Sequence, residues 1–215
     1  NSSLERNSTG TPSASATEDL CIGGCLGWRG GSVATTLKGC YNDGNITAEG
    51  VSFNKLYVGG VVAYTTSVSM AEDSAYPYCY NAGAITVGNT TGDPLTVKEI
   101  AAVGGYLGYT TSTQAFNANI GNKGDITVSK VSVPALYVGG IWGDMNGAAK
   151  VASTSVYTNI GKITVDNVTS TAATSFVGGI IGGTLCTING AQSYCDIAVQ
   201  DGISAGWIMG THRTT

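Results

Sequence analysis

Charge is scarce in this chain of 215 residues, where 10 Lys and Arg and 14 Asp and Glu make up 11% of the composition. The net charge of −4 comes without any run of basic residues. A nucleic-acid partner needs a positive stripe to displace counterions, so none is expected. Histidine occurs once, as His212, which leaves no Ser-His-acid nucleophile system and poor zinc spacing around Cys21 and Cys25. No metal and no cofactor is therefore expected. The apolar runs are broken by glycine well short of the roughly 20 residues of a spanning helix, so membrane insertion is not expected either. Only 4 Pro accompany 32 Gly, and no Gly-X-Y period is present, which rules out collagen. The chain opens at Asn1 without Met or a signal-peptide pattern and reads as a mature or excised fragment.

What is abundant is repetition. Leu56-Tyr57-Val58-Gly59-Gly60-Val61-Val62-Ala63-Tyr64 has echoes at Cys21–Trp28, Ala102–Tyr109, Tyr137–Asp144 and Phe176–Gly183, with a worn copy at Ala205–Gly210. A second motif alternates with it. Cys40-Tyr41-Asn42-Asp43-Gly44-Asn45-Ile46-Thr47 returns as Cys79-Tyr80-Asn81-Ala82-Gly83-Ala84-Ile85-Thr86, then more loosely around Ile126, Ile163 and Ile197. The copies recur roughly every 35–45 residues, the spacing of a solenoid.

The β-branched and aromatic content of both motifs predicts strands, and Asn-x-Gly reads as a tight corner because both residues tolerate positive φ. Each repeat then supplies three strands. A unit that cannot bury its own apolar side must stack, so the expected fold is all-β: a parallel, right-handed, three-sided β-helix of about five coils. Residues 1–20 read as a linker or disordered lead-in, 21–210 as the β-helix and 211–215 as a tail. Ile22, Val58, Val103, Val138 and Val177 should form one internal ladder. Leu26, Val62, Leu107, Trp142 and Ile181 should form a second, and Ile46, Ile85, Ile126, Ile163 and Ile197 should line another wall of one triangular core.

Six cysteines, together with a Ser/Thr/Asn-rich surface, point to an oxidising, extracellular setting, secreted or at the cell surface. Cys40 and Cys79 hold equivalent places in consecutive copies, about 4.8 Å apart if the copies stack, within disulfide reach. Cys186 and Cys195 could close a small loop.

Paired with each other, Cys-Tyr-Asn-x-Gly-x-Ile-Thr and Tyr-Val-Gly-Gly-x-Val-x-Tyr resemble the Gly-Leu-any-Gly (GLUG) repeats of large bacterial surface proteins, including adhesins and certain secreted proteases. The resemblance runs from about Cys21 to Ile208. It implies a passive β-helical stalk or adhesive module and supplies no catalytic residues.

Polysaccharide lyases and glycoside hydrolases also use β-helices, but they need clustered carboxylates or a calcium-and-base arrangement on one face. Here the acidic residues are scattered, and Asp43, Asp125 and Asp196 sit at turns in different copies. The Gly-Gly-x-x-Gly strings lack the Lys-Ser/Thr and helix of a phosphate loop. The better candidate is a surface. By strict alternation Tyr57, Tyr106, Tyr137 and Phe176 face away from the core ladders and form an external apolar stripe, unless loops fold over it. Such a stripe would contact a surface glycan, a protein ligand or another copy, end to end or laterally. The expected function is a non-catalytic structural or adhesive module, with a carbohydrate-binding module or a β-helical lyase or hydrolase as rivals.

Overall fold

The computed structural model describes residues 3–6, 18–74, 79–147, 150–151, 154–186 and 188–213. Its second coil gives the plan. Ser52–Gly59 lies in a ten-stranded sheet, Val62–Thr65 in a six-stranded sheet, Val68–Ala71 in a four-stranded sheet and Cys79–Asn81 in a five-stranded sheet. Ile85–Val87 then returns to the ten-stranded sheet. Pairing is parallel throughout the described residues and joins like positions of consecutive coils, as in Ile85 with Ile46 and Ile126 and Val103 with Val58 and Val138. The chain is therefore a parallel β-solenoid. Four coils cross all four sheets, a fifth crosses the ten-, six- and five-stranded sheets among the described residues, and the last strands, Ser204–Gly206 and Met209–His212, stack on it.

Four sheets replace the three walls expected from the sequence. The extra corner is cut by threonine: Thr65, Thr110 and Thr184, each buried at the end of a strand of the six-stranded sheet, accept a bond from the backbone N–H two residues on. A hydroxyl that satisfies a backbone donor in this way turns the chain without glycine or proline.

All three expected ladders form. Ile22, Val58, Val103, Val138 and Val177 are in register. So are Leu26, Val62, Leu107, Trp142 and Ile181, and the isoleucines from Ile46 to Ile197. Their grouping differs from the expected single triangular core. The isoleucine and Val58 ladders belong to one sheet and one apolar cluster, whereas Val62, Leu107 and Trp142 belong to a second cluster with Met70, Phe116 and Tyr157.

Between the clusters runs a polar seam. Asn42, Asn81, Asn122 and Asn159 stack in the shaft, Asn81, Asn122 and Asn159 fully buried. Each Nδ2 donates to the next Oδ1, at 2.8 Å from Asn42 to Asn81, 2.9 Å from Asn81 to Asn122 and 2.8 Å from Asn122 to Asn159. Each also donates to the carbonyl two residues on in its own coil, that of Gly44, Gly83, Gly124 or Gly161. These asparagines are not the positive-φ corners expected of Asn-x-Gly; none has a left-handed backbone. The second glycine of each Gly-Gly pair makes room for them. A Cβ on Gly60 would sit 2.3 Å from Asn81 Cγ and 2.1 Å from the Gly105 carbonyl oxygen, and one on Gly105 would meet Asn122 Cγ at 2.5 Å.

The left-handed corners lie elsewhere, between the isoleucine ladder and the Val58 ladder. Lys130 and Asn167 hold φ of 52° and 50° at equivalent places in two coils. Ser3–Arg6, inside the expected lead-in, pairs in parallel with Asn45–Ala48, while 7–17 lie outside the described residues. Thr211 and His212, assigned to the tail from sequence, belong to the strand Met209–His212.

Candidate functional site

The expected stripe of Tyr57, Tyr106, Tyr137 and Phe176 is not an external surface. Tyr106 points into the core, fully buried, with its hydroxyl donating to the Cys40 carbonyl. The reason is a corner after Gly-Gly in every coil, where the chain passes from the ten-stranded to the six-stranded sheet. Val61 N and Val62 N both donate to the Tyr106 carbonyl, Tyr106 N and Leu107 N to that of Ile141, and Ile141 N and Trp142 N to that of Ile180. The register is the same on either side, Gly59 with Gly104 and Val62 with Leu107, so the shared acceptor marks a bend that resets the alternation, and Val61, Tyr106, Ile141 and Ile180 turn inward together with the ladder residues that follow them.

Tyr57, Tyr137 and Phe176 do share an outward column, with Cys21 and Ala102, but the six-stranded sheet covers it. Gly108, Gly143 and Gly182 bring that sheet's backbone against the neighbouring strands; a Cβ on Gly108 would lie 2.7 Å from the Val58 carbonyl oxygen. The facing column is Trp28, Tyr64, Tyr109, Asp144 and Gly183. Tyr57 packs into it, 5.2 Å from the Tyr64 ring and 4.7 Å from that of Tyr109, and burial pushes its phenol pKa upward. Tyr57 and Tyr137 are buried and Phe176 is half-buried, so the contact that covers the stripe is a sheet and not a loop. One end stays open, a cavity of about 410 Å³ lined by Asp19, Cys21, Trp28, Lys55, Tyr57 and Tyr64.

The other end of this seam holds Asp144, fully buried and ion-paired with Arg213, whose guanidinium lies 5.2 Å from the Tyr137 ring centroid. Burial raises the Asp144 pKa from 3.8 to about 6, with Arg213 pulling the other way. Nothing in the sequence motifs marks either residue. They are far apart in the chain, and only the stacking of coils joins them.

The exposed aromatic face lies instead on the five-stranded sheet. Because Cys79 and Asn81 point inward, Tyr80 points out, and the same holds for Tyr41. The outward column runs Tyr41, Tyr80, Gly121, Thr158, Gln192. Tyr41 and Tyr80 are stacked, with centroids 5.3 Å apart and planes 15° from parallel. Of the seven large apolar residues exposed among the described ones, Tyr41, Val156, Ile160 and Tyr194 belong to this sheet or its borders.

At Gly121 the column has no side chain, and a cavity of about 360 Å³ opens there, lined by Tyr80, Asn119, Gly121, Lys123, Val156 and Thr158 above Cys79 and Ile120. Lys123 Nζ stands 5.2 Å from the Tyr80 ring centroid. Asn119 is held rigidly, its Nδ2 and backbone N–H donating to Glu72 Oε1 at 2.6 and 3.2 Å and its Oδ1 accepting from Val156 N at 2.7 Å. Parity counted along Cys-Tyr-Asn would have placed Tyr41 and Tyr80 outside. The vacancy at Gly121 shows only when the coils are aligned.

No disulfide forms among the described residues, so neither expected pairing is present. Cys40 and Cys79 precede the paired Tyr41 and Tyr80 and so occupy neighbouring rungs, as expected, but their thiols face the carbonyls of Lys38 and Ala71. Cys186 and Cys195 do not approach a shared loop closure. They sit in different apolar clusters, one against the Gly147 carbonyl and the other against the Ser193 hydroxyl. No helix among the described residues is long and apolar enough to cross a membrane. No family model, no curated protein and no solved structure matches the chain.

Proposed function

We propose that the chain is a non-catalytic, exported β-solenoid module that binds through the outer face of its five-stranded sheet, as a structural or adhesive section of a surface protein. The observation that carries the reading is the row of exposed apolar and aromatic side chains, Tyr41, Val156, Ile160 and Tyr194, gathered on one flank of a rigid shaft. Isolated exposed apolar residues are ordinary, but several gathered on one face mark a contact surface. The buried asparagine seam supports the same reading, since a fixed shaft holds such a row in place without ordering cost on binding. The likeness of the motifs to GLUG repeats fits an adhesin or stalk of the cell surface. A hydrolase would need a second carboxylate near Asp144, whose pKa is moved by burial and by Arg213.

Arrays of glycans and of extracellular-matrix proteins probed with the whole chain test the proposal. Specific capture, lost in an Ile160→Lys/Tyr194→Lys variant that melts at the same temperature, is the expected result. Capture by neither array, or capture indifferent to both substitutions, would refute it.

A further inference from the structure

The slot at Gly121 has a more definite chemistry than the face around it. Consecutive rungs stand about 4.8 Å apart, so Tyr80 and Thr158, two rungs from each other in one column, are separated by roughly 10 Å. The near-parallel stack with Tyr41 sets the Tyr80 ring across the shaft axis, one face against Tyr41 and the other toward the Gly121 rung, where Lys123 Nζ stands over it. The floor is flat and apolar, while the rim carries an amide at Asn119, a hydroxyl at Thr158 and a cation at Lys123.

A ligand that fits must present a flat face of C–H groups to an aromatic ring, hydroxyls around its edge and a negative charge to one side. The first two demands describe a pyranose ring, which lays a patch of C–H groups from one of its faces on an aromatic ring and carries its hydroxyls around the edge. The third comes from Lys123. It makes no ion pair among the described residues, unlike Lys55 with Glu99 and Arg213 with Asp144, and it is exposed, so its charge is available to a carboxylate.

The geometry points to a subsite for one hexuronic-acid residue of an acidic polysaccharide, its ring stacked on Tyr80 over Gly121 and its carboxylate on Lys123. This rests on the binding-module reading and specifies the ligand class for it. Gly121 is the specificity element because any larger residue in that column would occupy the space of the sugar. The backbone there is not left-handed, and a Cβ would find Tyr80 Cβ at 3.7 Å and the Thr158 carbonyl oxygen at 3.9 Å, both ordinary contacts. A tyrosine at this place would extend the Tyr41–Tyr80 stack, so the slot can be filled without disturbing the fold.

The test is calorimetric titration of the whole chain with a tetramer of galacturonic acid and with the neutral galactose tetramer. The wild-type chain is expected to prefer the acidic tetramer at least fivefold. Gly121→Tyr should weaken its binding at least tenfold at an unchanged melting temperature, and Lys123→Gln should abolish the preference while Lys123→Arg keeps it. Absence of binding by the wild-type chain, equal binding by Gly121→Tyr, or a preference that survives Lys123→Gln would each overturn the subsite. If the arrays find another ligand that binds Gly121→Tyr as well as wild type, the slot assignment falls and the binding-module reading stands.

Discussion

Replacing Asn122 by alanine should be among the most damaging single changes to this shaft. Asn122 is 1% exposed, so water cannot substitute for its side chain. It donates to Asn159 Oδ1 and to the Gly124 carbonyl, both at 2.8 Å, and accepts from Asn81 Nδ2 at 2.9 Å. Each bond contributes about 1 kcal/mol net, and a buried group left without a partner costs about 1–3 kcal/mol. The partners are not all stranded, because Asn81 Nδ2 keeps the Gly83 carbonyl and Asn159 Oδ1 keeps Gly161 N–H. Gly124 loses its side-chain donor. The expected loss is about 3–5 kcal/mol. Asn42→Ala is the internal control. At the first rung it is only half-buried and makes a single bond along the column, so about 1–2 kcal/mol should be lost. Urea denaturation followed by far-ultraviolet circular dichroism gives both values, with the denaturant slope checked for loss of cooperativity. Equal costs at positions 42 and 122, or a cost below about 1 kcal/mol at 122, would refute the claim that the column is a continuous stabilising element.

Gly105→Ala should be as severe, at about 3 kcal/mol or more, because the new Cβ would lie 2.0 Å from the Gly140 carbonyl oxygen and 2.5 Å from Asn122 Cγ, with no flexible group to yield; soluble yield and melting temperature check it. Lys130→Gly should stabilise by about 0.5–1 kcal/mol, since it relieves a left-handed lysine at φ 52° at the cost of some chain entropy, and Lys130→Val should do the opposite in the same thermal melts. The folded chain holds the Asp144 proton more tightly than the unfolded chain does, with a pKa of about 6 against 3.8. This group's effect on stability is therefore most favourable below pH 4 and declines as pH rises to about 6, by up to about 3 kcal/mol. Asp144→Asn should flatten that part of a stability–pH curve, and Arg213→Ala should steepen it.

Most of the shaft was legible from the motifs because vertical stacking turns a sequence repeat directly into a column. The valine and isoleucine ladders needed only alignment of copies and an alternation count. What escaped that count was local chemistry. The corner after Gly-Gly resets the alternation, so Tyr106 was assigned to the wrong side, while Tyr57, Tyr137 and Phe176 do face outward but under the six-stranded sheet, which an alternation count does not show. The asparagines were read by their turn preference, yet in a stack each meets its own copy, and an amide that both donates and accepts is self-complementary there. The threonine corners left no glycine or proline to mark them. Gly121 was invisible for a different reason: a binding slot made by a missing side chain has no residue to notice, and emerges only against the tyrosines of earlier coils.

The asparagine column is also directional. Every amide points the same way, so the small dipoles add head to tail and the two ends of the row differ, an acceptor at Asn42 and a donor at Asn159. A coil transplanted upside down would set donor against donor, whatever the fit of its valines. Shafts of this kind can thus be lengthened by inserting coils in one orientation only, and a hydroxyl in place of the amide, as at Ser193, is a way of writing the last line.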